Sequence, residues 1–207
     1  MGGSHQLVAT FVTLLVVVEP LGLAPIFLAA TSGQSAAARG KIALRACLYA
    51  FAILTGAALG GENLLKAMGV TLPAFRIAGG LLLFSIASEM ALGVRLPRET
   101  DAAARAVQEN GGHIAAFPLA IPLMAGPGAI TATLLIAAKA SGDPAQLGAL
   151  LGAIALVMLI SYGVCRLAVG VERAIGTEAN IVMAKLLGVL LAALAVQFVV
   201  DGARSLL

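Results

Sequence analysis

Long apolar stretches separated by short polar connections make up most of this chain. Six of the stretches approach the roughly 20 residues that a helix needs to cross the hydrocarbon core of a bilayer. The pattern therefore predicts an all-α membrane protein with six transmembrane helices. The predicted spans are residues 6–30, 42–60, 74–93, 114–138, 147–169 and 181–202. The stretch at 62–73 is too short to span, and it is predicted to form either an interfacial helix or a short re-entrant segment.

The first and fourth predicted spans are each interrupted by a pair of prolines. Pro20 and Pro25 lie five residues apart in the first span, and Pro122 and Pro127 have the same spacing in the fourth. A proline in a helix interior removes a backbone hydrogen bond and clashes with the preceding turn. Both spans are therefore predicted to be broken near the midplane of the membrane, with the two breaks facing each other.

Further similarities relate the first three spans to the last three. Residues 76–79 of the third span resemble residues 185–188 of the sixth, and Gly93 corresponds to Gly202 at the same offset. Each half crosses the membrane an odd number of times, so the second half begins on the opposite side and the repeat is inverted. Inverted repeats with broken helices are a recurring plan of secondary transporters. The predicted organisation is a three-helix repeat, a cytoplasmic linker and a second, inverted three-helix repeat, at residues 1–94, 95–113 and 114–207.

Composition supports the membrane assignment. Hydrophobic residues make up 60% of the chain and charged residues only 11%, whereas an average soluble domain has about 25% charged residues. No aromatic and basic surface pattern typical of nucleic-acid binding is present, so we expect no nucleic acid partner. Nine of the 13 Lys and Arg residues fall on the side of the predicted linker. Because cytoplasmic segments carry such an excess, both termini are predicted to face outward.

Glu19 is the sharpest candidate for a functional side chain, because it lies beside the first break in the middle of an apolar segment. A charged group at the centre of a membrane helix costs roughly 2.5–3.5 kcal/mol on insertion scales. Burial favours the protonated form of a carboxyl group, which suits a group that takes up a proton or pairs with a substrate ammonium group. The alternative is a structural Glu that is protonated or hydrogen bonded.

The second break offers backbone groups. The helix that resumes there presents free N–H groups at the positive end of its dipole, and such an end binds carboxylates. Besides Glu19, which is also a candidate for ion coupling, the predicted substrate-binding residues are Pro20, Gly22, Pro25, Gly126, Pro127, Gly128, Thr131 and Gln197. Glu89, near the end of the third span, is the second candidate for ion coupling. Ordinary helix packing for Thr131 and snorkelling to the interface for Glu89 are the alternatives.

The spans contain no set of side chains typical of a catalytic or metal site. Both His residues, His5 and His113, lie outside the spans, and the phosphate-binding sequence Gly-x-x-x-x-Gly-Lys-Ser/Thr is absent. We therefore expect no enzymatic activity, no metal and no cofactor, with energy supplied by an H⁺ or Na⁺ gradient or by exchange. Glycines at both ends of residues 56–60 and 148–152 have the spacing of close helix contacts, which leaves a homo-oligomer open.

Five stretches of the chain together resemble the MarC family of integral membrane proteins. They are residues 20–27, 61–66, 74–80, 118–128 and 185–188. The resemblance covers almost the whole chain and implies a six-span inner-membrane protein. Members of this family include transporters of small neutral amino acids such as glycine and alanine. The family often has Asp at the position of Glu19 and Asn at the position of Leu23.

The residues and the resemblance together favour a secondary transporter with a midplane site for a small neutral amino acid. In this interpretation the broken helix ends bind the substrate carboxylate, and Glu19 is the negative partner of its ammonium group. The alternatives are a channel or exporter of other small solutes, and a membrane protein with a structural role.

The charge distribution makes a testable prediction about topology. In intact cells, a membrane-impermeant thiol reagent should modify Arg204→Cys and leave Arg98→Cys unmodified, because Arg98 lies in the predicted cytoplasmic linker. Modification of Arg98→Cys together with protection of Arg204→Cys would establish the opposite orientation.

Overall fold

The computed structural model describes residues 2–94, 101, 105, 114–140 and 143–206. Within these ranges the regular structure is helical, in eight segments. They are α1 (Gly2–Val18), α2 (Leu23–Ala30), α3 (Ala36–Ala67), α4 (Leu72–Leu92), α5 (Ala115–Met124), α6 (Pro127–Lys139), α7 (Pro144–Arg166) and α8 (Ala168–Arg204). Of the linker predicted at 95–113, the structure describes only Asp101 and Arg105, and both have helical backbone.

Four helical segments are long and apolar enough to cross a membrane by themselves: α3, α4, α7 and residues 178–204 of α8. Two pairs form interrupted segments of similar character, α1 with α2, bent by 42°, and α5 with α6, bent by 57°. The prediction of a helical membrane protein with interruptions in the first and fourth apolar segments is therefore confirmed. The number of spans is six if each bent pair crosses once.

The second span is longer than predicted. The basic residues at 39–45 lie on the first turns of α3 instead of in a loop, and α3 continues through residue 67. The prediction of an interfacial helix or re-entrant segment at 62–73 is therefore wrong. Ser35 caps the start of α3 by accepting a backbone hydrogen bond, and Gly69, with φ of 71°, follows its end. The glycines at 60 and 61 lie within the helix, because a glycine costs a helix only about 1 kcal/mol.

The connection between the fifth and sixth spans is helical. α7 ends at Arg166 and α8 begins at Ala168, so the first ten residues of α8 form most of the connection predicted at 170–180. Gly176, with φ of 71°, interrupts α8. Residues 178–204 then form the membrane-spanning part of the helix.

Helices α4 and α8 form the most extensive helix pair of the described structure. A side-chain Cβ at Gly188 would lie 2.7 Å from the backbone nitrogen of Ala91, and one at Gly202 would lie 2.9 Å from the carbonyl oxygen of Pro73. The two helices are antiparallel, since the C-terminal end of α8 lies against the N-terminal end of α4. Glycine at these contacts lets the two backbones approach closely.

The interrupted segments lie inside the bundle. α3 packs on α5, α6 and α7, while α7 packs on α1, α2 and α3; α4 also contacts α6, and α8 also contacts α2. Several of the largest fully buried side chains belong to the interrupted segments, namely Leu14, Ile26, Phe27, Leu119, Met124 and Leu135. By contrast, large apolar side chains are exposed on the uninterrupted helices, such as Leu48, Leu82, Leu159 and Val189. These exposed apolar faces contact the lipid bilayer.

The α4–α8 contact predicts a difference between two glycines. Gly188→Ala should destabilise the protein by about 1–3 kcal/mol, because its Cβ would enter the backbone of α4. Gly56→Ala is the matched control: a Cβ there meets nothing within 4 Å, and alanine favours the helix by about 0.5–1 kcal/mol. Thermal unfolding in detergent measures both. Equal melting temperatures for the two variants would contradict the close contact.

Candidate functional site

The first break occupies the four residues from Glu19 to Gly22, between α1 and α2. Local turns satisfy much of its backbone: the N–H of Gly22 donates to the carbonyl oxygen of Glu19 at 3.0 Å, and the N–H of Leu23 donates to that of Pro20 at 3.2 Å. Pro20 lies within the break, as predicted. Pro25 does not, because it occupies the first turn of α2, where the N–H that proline lacks has no helical partner.

Glu19 has an unusual backbone conformation. Its φ is 49°, and it is the one non-glycine residue with positive φ in the described part of the chain. Such a conformation costs about 1–3 kcal/mol and persists where the surrounding structure imposes it, often at functional sites. The residue is also buried, with 8% of its surface exposed. The carboxyl group lies over Gly22, where a Cβ atom would come within 3.2 Å of the Glu19 Cδ atom.

A cleft of about 310 Å³ adjoins this break. Its walls come from the end of α1, the first residues of the break, α7 and α8. The lining residues are Leu15, Val16, Glu19, Pro20, Leu21, Ile160, Asn180, Met183 and Leu187. Two of these residues, Glu19 and Asn180, have polar side chains. The surface of the cleft is nevertheless almost entirely apolar, so the polar ends of these two side chains do not face it.

Asn180 is the residue of this cleft that the sequence analysis missed. It is 8% exposed and precedes the predicted start of the sixth span by one residue. An amide at the edge of a predicted apolar span could have drawn attention to it. Nothing local to Asn180 indicates, however, that α8 brings it to the break in the first span.

The second break is longer than predicted. Phe117 and Ile121 have extended backbone conformations inside α5, each before a proline, and the Phe117–Pro118 and Ile121–Pro122 peptide bonds are cis. Proline disfavours a helical conformation in the residue before it, so the irregular structure begins at Phe117. The backbone N–H of Ala125 donates to the carbonyl oxygen of Ala120 at 2.8 Å, and α6 begins at Pro127.

The two breaks come into contact through glycine. A Cβ at Gly128 would lie 3.3 Å from Val17 Cγ1 of α1 and 2.9 Å from Ile86 Cδ1 of α4. At Gly126 a Cβ would collide with the carbonyl oxygen of Pro122. Glycine therefore allows the start of α6 to lie against the end of α1, two residues before Glu19. The cleft beside Glu19 is nevertheless lined by α1, α7 and α8 and not by α6.

Two threonines of α6 point into the protein. Thr131 is 6% exposed, and its Cγ2 methyl group lies against Gly79 of α4. Thr133 is fully buried, and its hydroxyl group has no hydrogen-bond partner in the structure. Thr131 thus lies at a helix contact, whereas the unsatisfied hydroxyl belongs to Thr133.

The structure places Gln197 and Glu89 away from the cleft. Gln197 is on the exposed side of α8, where its side-chain amide donates to Asp201 at 2.7 Å. Asp201 also forms an ion pair with Lys139 of α6 at 3.3 Å. Glu89 lies in the last turn of α4, and its carbonyl oxygen accepts the backbone hydrogen bond of Val94. Neither of the two predicted site residues lines the Glu19 cleft.

Within the described residues, no group of three or more His, Cys, Asp or Glu side chains could hold a metal ion. Outside the membrane-spanning segments, Asp143 caps the start of α7. The side-chain and backbone N–H groups of Gln146 donate to its carboxylate and lower the pKa of Asp143 below its ordinary value. This carboxylate therefore has a structural role at the helix terminus.

Comparison with known proteins identifies the family. A model described as MarC family integral membrane protein matches residues 4–207. The UPF0056 membrane protein of Aquifex aeolicus (strain VF5) is 36% identical over 200 residues, which cover 97% of this chain and 93% of that protein. The UPF0056 membrane protein YhcE of Escherichia coli (strain K12) is 36% identical over 199 residues, which cover 95% of this chain and 91% of that protein. No solved structure matches this chain. The chain therefore belongs to the MarC family of integral membrane proteins, and it is a multi-pass membrane protein.

Proposed function

We propose that this protein is a secondary transporter of small neutral amino acids such as glycine and alanine, driven by an ion gradient or by exchange. The observation that carries the proposal is the meeting of two interrupted helical segments, with a buried glutamate of positive φ at one interruption. Interrupted helices with an ionisable group are costly in a membrane and are characteristic of transport sites.

The proposed site lies between the two breaks. The N-terminal end of α6, at Gly126, Pro127 and Gly128, supplies backbone N–H groups to the substrate carboxylate. Glu19 binds the substrate ammonium group or the coupling ion, H⁺ or Na⁺. In this proposal Pro20 and Gly22 maintain the opening beside Glu19, and the contact of Gly128 with Val17 brings the two ends together.

The proposed architecture is an inverted repeat of residues 1–94 and 114–207. Its support is the pattern of helix contacts. If α1, α2, α3 and α4 are taken to correspond to α5, α6, α7 and α8, most contacts of one half have a counterpart in the other. α3 packs on α5 and α6 as α7 packs on α1 and α2, and α4 contacts α6 as α8 contacts α2. At the α4–α8 contact, Gly93 lies against Lys185, and Gly202 lies against Arg76. These four residues are the two pairs that correspond in the sequence repeat.

We further propose that the protein lies in the inner, or plasma, membrane with both termini outside. The support is the excess of basic residues on the opposite side of the sequence-derived topology. A channel or an exporter of other small solutes is the main alternative function. Uptake of labelled glycine and alanine by proteoliposomes, measured across pH and Na⁺ gradients, separates these functions: a transporter saturates and supports counterflow.

Glu19→Gln should abolish uphill transport, reducing the accumulation ratio in proteoliposomes to about 1, while insertion and folding stay intact. Gln keeps the shape of Glu and its hydrogen-bonding capacity, but it takes up neither a proton nor a cation. Exchange between two pools of substrate survives in this variant if Glu19 binds only the coupling ion, and it fails as well if Glu19 binds the substrate ammonium group. Glu62→Gln is the control, because Glu62 forms its ion pair with Lys66 within α3. Wild-type accumulation by Glu19→Gln would refute the coupling role.

Gly22→Ala tests the position of the Glu19 carboxyl group. Gly22 has ordinary right-handed helical dihedral angles, so alanine adds no backbone strain, but its Cβ would lie 3.2 Å from Glu19 Cδ. The displaced carboxyl group should raise the half-saturation concentration for uptake several-fold. Gly56→Ala serves as the control, as its Cβ meets nothing within 4 Å. Unchanged half-saturation in Gly22→Ala would separate the Glu19 carboxyl group from substrate binding.

A further inference from the structure

Two buried threonine hydroxyl groups have no hydrogen-bond partner. Within the described residues, the side-chain nitrogen and oxygen atoms that are buried without a partner are Thr55 Oγ1, Thr133 Oγ1 and Arg76 Nε. Thr133 is fully buried on α6, and Thr55 is half-buried on α3. Because a buried hydroxyl group without a partner costs free energy, each such group in a native structure calls for an explanation.

Thr31 is the counterpart of Thr133 in the first half of the chain. It follows Pro25 by six residues, as Thr133 follows Pro127, and it is also fully buried. Its hydroxyl group donates to the carbonyl oxygen of Phe27 at 2.7 Å. The hydroxyl group of Thr133 makes no such bond, so burial in a helix does not by itself account for it.

A pocket of about 320 Å³ lies between α3, α6 and α7, where α3 and α6 end and α7 begins. Ala58 and Glu62 line it from α3, and Ala137 and Ala140 line it from α6. Asp143, which caps α7, lines it as well. In the proposed topology this end of the molecule faces outward.

Both threonines lie beneath this pocket, towards the middle of the membrane. Thr55 precedes Glu62 by seven residues, and Thr133 precedes Ala140 by seven residues. Seven residues are two helical turns, so each threonine lies on the face of its helix that lines the pocket. The two hydroxyl groups are buried and do not line the pocket themselves. They therefore lie under its floor.

The same two helices lead from the threonines to the second break. Thr133 follows Gly128, in the first turn of α6, by five residues, which is about 8 Å at helical rise. On α3, the Sγ atom of Cys47 lies 4.0 Å from the Sδ atom of Met124, at the end of α5. Thr55 follows Cys47 by eight residues, or about 12 Å. The pocket, the two threonines and the start of α6 therefore follow one another along the contact between α3 and α6.

We infer that this pocket is the outer entrance for the small neutral amino acid, and that Thr55 and Thr133 are polar contacts on its path to the start of α6. The path is closed above the two threonines in this structure. When it opens, the hydroxyl groups donate to the carboxylate of the amino acid or accept from its ammonium group. The Asp143 carboxylate at the entrance attracts the ammonium group, whereas Lys66 balances the charge of Glu62. This inference deepens the proposed function and rests on it for the identity of the solute.

Cysteine accessibility in intact cells tests the path. Thr55→Cys and Thr133→Cys are made singly in the full-length protein with Cys47→Ala and Cys165→Ala, which remove the two native thiols. A small, membrane-impermeant methanethiosulfonate reagent added from outside should modify both introduced cysteines. Saturating alanine should slow both reactions several-fold, because the amino acid and the reagent use the same space.

Two further cysteines are the controls. Asn63→Cys lies at an exposed position that lines the pocket, so it should react faster than either threonine position. Thr31→Cys is the matched control, because Thr31 is as buried as Thr133 but its hydroxyl group has a partner. It should stay unmodified from outside. Equal reaction rates at positions 31 and 133 would show general opening of the protein and overturn the inference.

Thr133→Val tests the hydroxyl group itself. Valine keeps the shape of threonine and removes the unpartnered group, so the melting temperature in detergent should rise by about 2–4 °C. Uptake of alanine by proteoliposomes should nevertheless fall several-fold, and Thr133→Ser, which retains a hydroxyl group, should restore it. Thr31→Val loses a hydrogen bond, so it should lower the melting temperature instead. A purely structural role of Thr133 would change stability and leave uptake at the wild-type level.

Lack of modification at both threonine positions, with Asn63→Cys modified, would overturn the inference, and so would modification that alanine does not slow. Wild-type uptake by Thr133→Val would exclude Thr133 as a contact. Uptake of glycine and alanine without modification at either threonine position would leave the proposed function standing and refute this path. Modification that alanine slows, in a protein without uphill transport, would support the path and refute secondary transport.

Discussion

The satisfaction of backbone hydrogen bonds at two helix interruptions is the constraint on which the rest of this structure depends. Apolar surroundings cannot provide partners for free N–H and C=O groups, so non-helical backbone has to lie inside the protein. At the first break, a turn joins the N–H of Gly22 to the carbonyl oxygen of Glu19. At the second, the N–H of Ala125 reaches the carbonyl oxygen of Ala120. The continuous helices accordingly surround the broken ones and present their own apolar faces to the bilayer.

Close helix packing allows this enclosure in a chain of 207 residues. Gly188 and Gly202 bring α4 and α8 together, and Gly61 and Gly79 receive the Leu134 and Thr131 side chains of α6. Lipid chains are as apolar as the helix surfaces, so tight van der Waals contact between small residues is what favours helix association over lipid contact. The glycines of this chain therefore serve two purposes, the close approach of continuous helices and the opening of the breaks.

Glu19 combines a strained backbone with burial inside the protein. It adopts a positive φ that glutamate rarely takes, and such a conformation costs free energy in the folded protein. Val17 lies against the start of α6, and the absence of a side chain at Gly22 leaves room for the Glu19 carboxyl group. The packing around the first break therefore maintains the unusual conformation of Glu19.

The sequence by itself determined the membrane class, the apolar segments and the positions of Pro20 and Pro127 at the two breaks. These are local properties: helix length follows from apolar run length, and the missing N–H of proline interrupts any helix. Glycine content alone did not predict that α3 continues through Gly60 and Gly61. The packing of Leu134 of α6 on Gly61 is a tertiary contact, which the local sequence does not reveal. The exposed position of Gln197 and the buried position of Asn180 were decided only by the tertiary structure. Both lie on α8, and the packing of its faces against α4 and the first break determines which side chains reach the cleft.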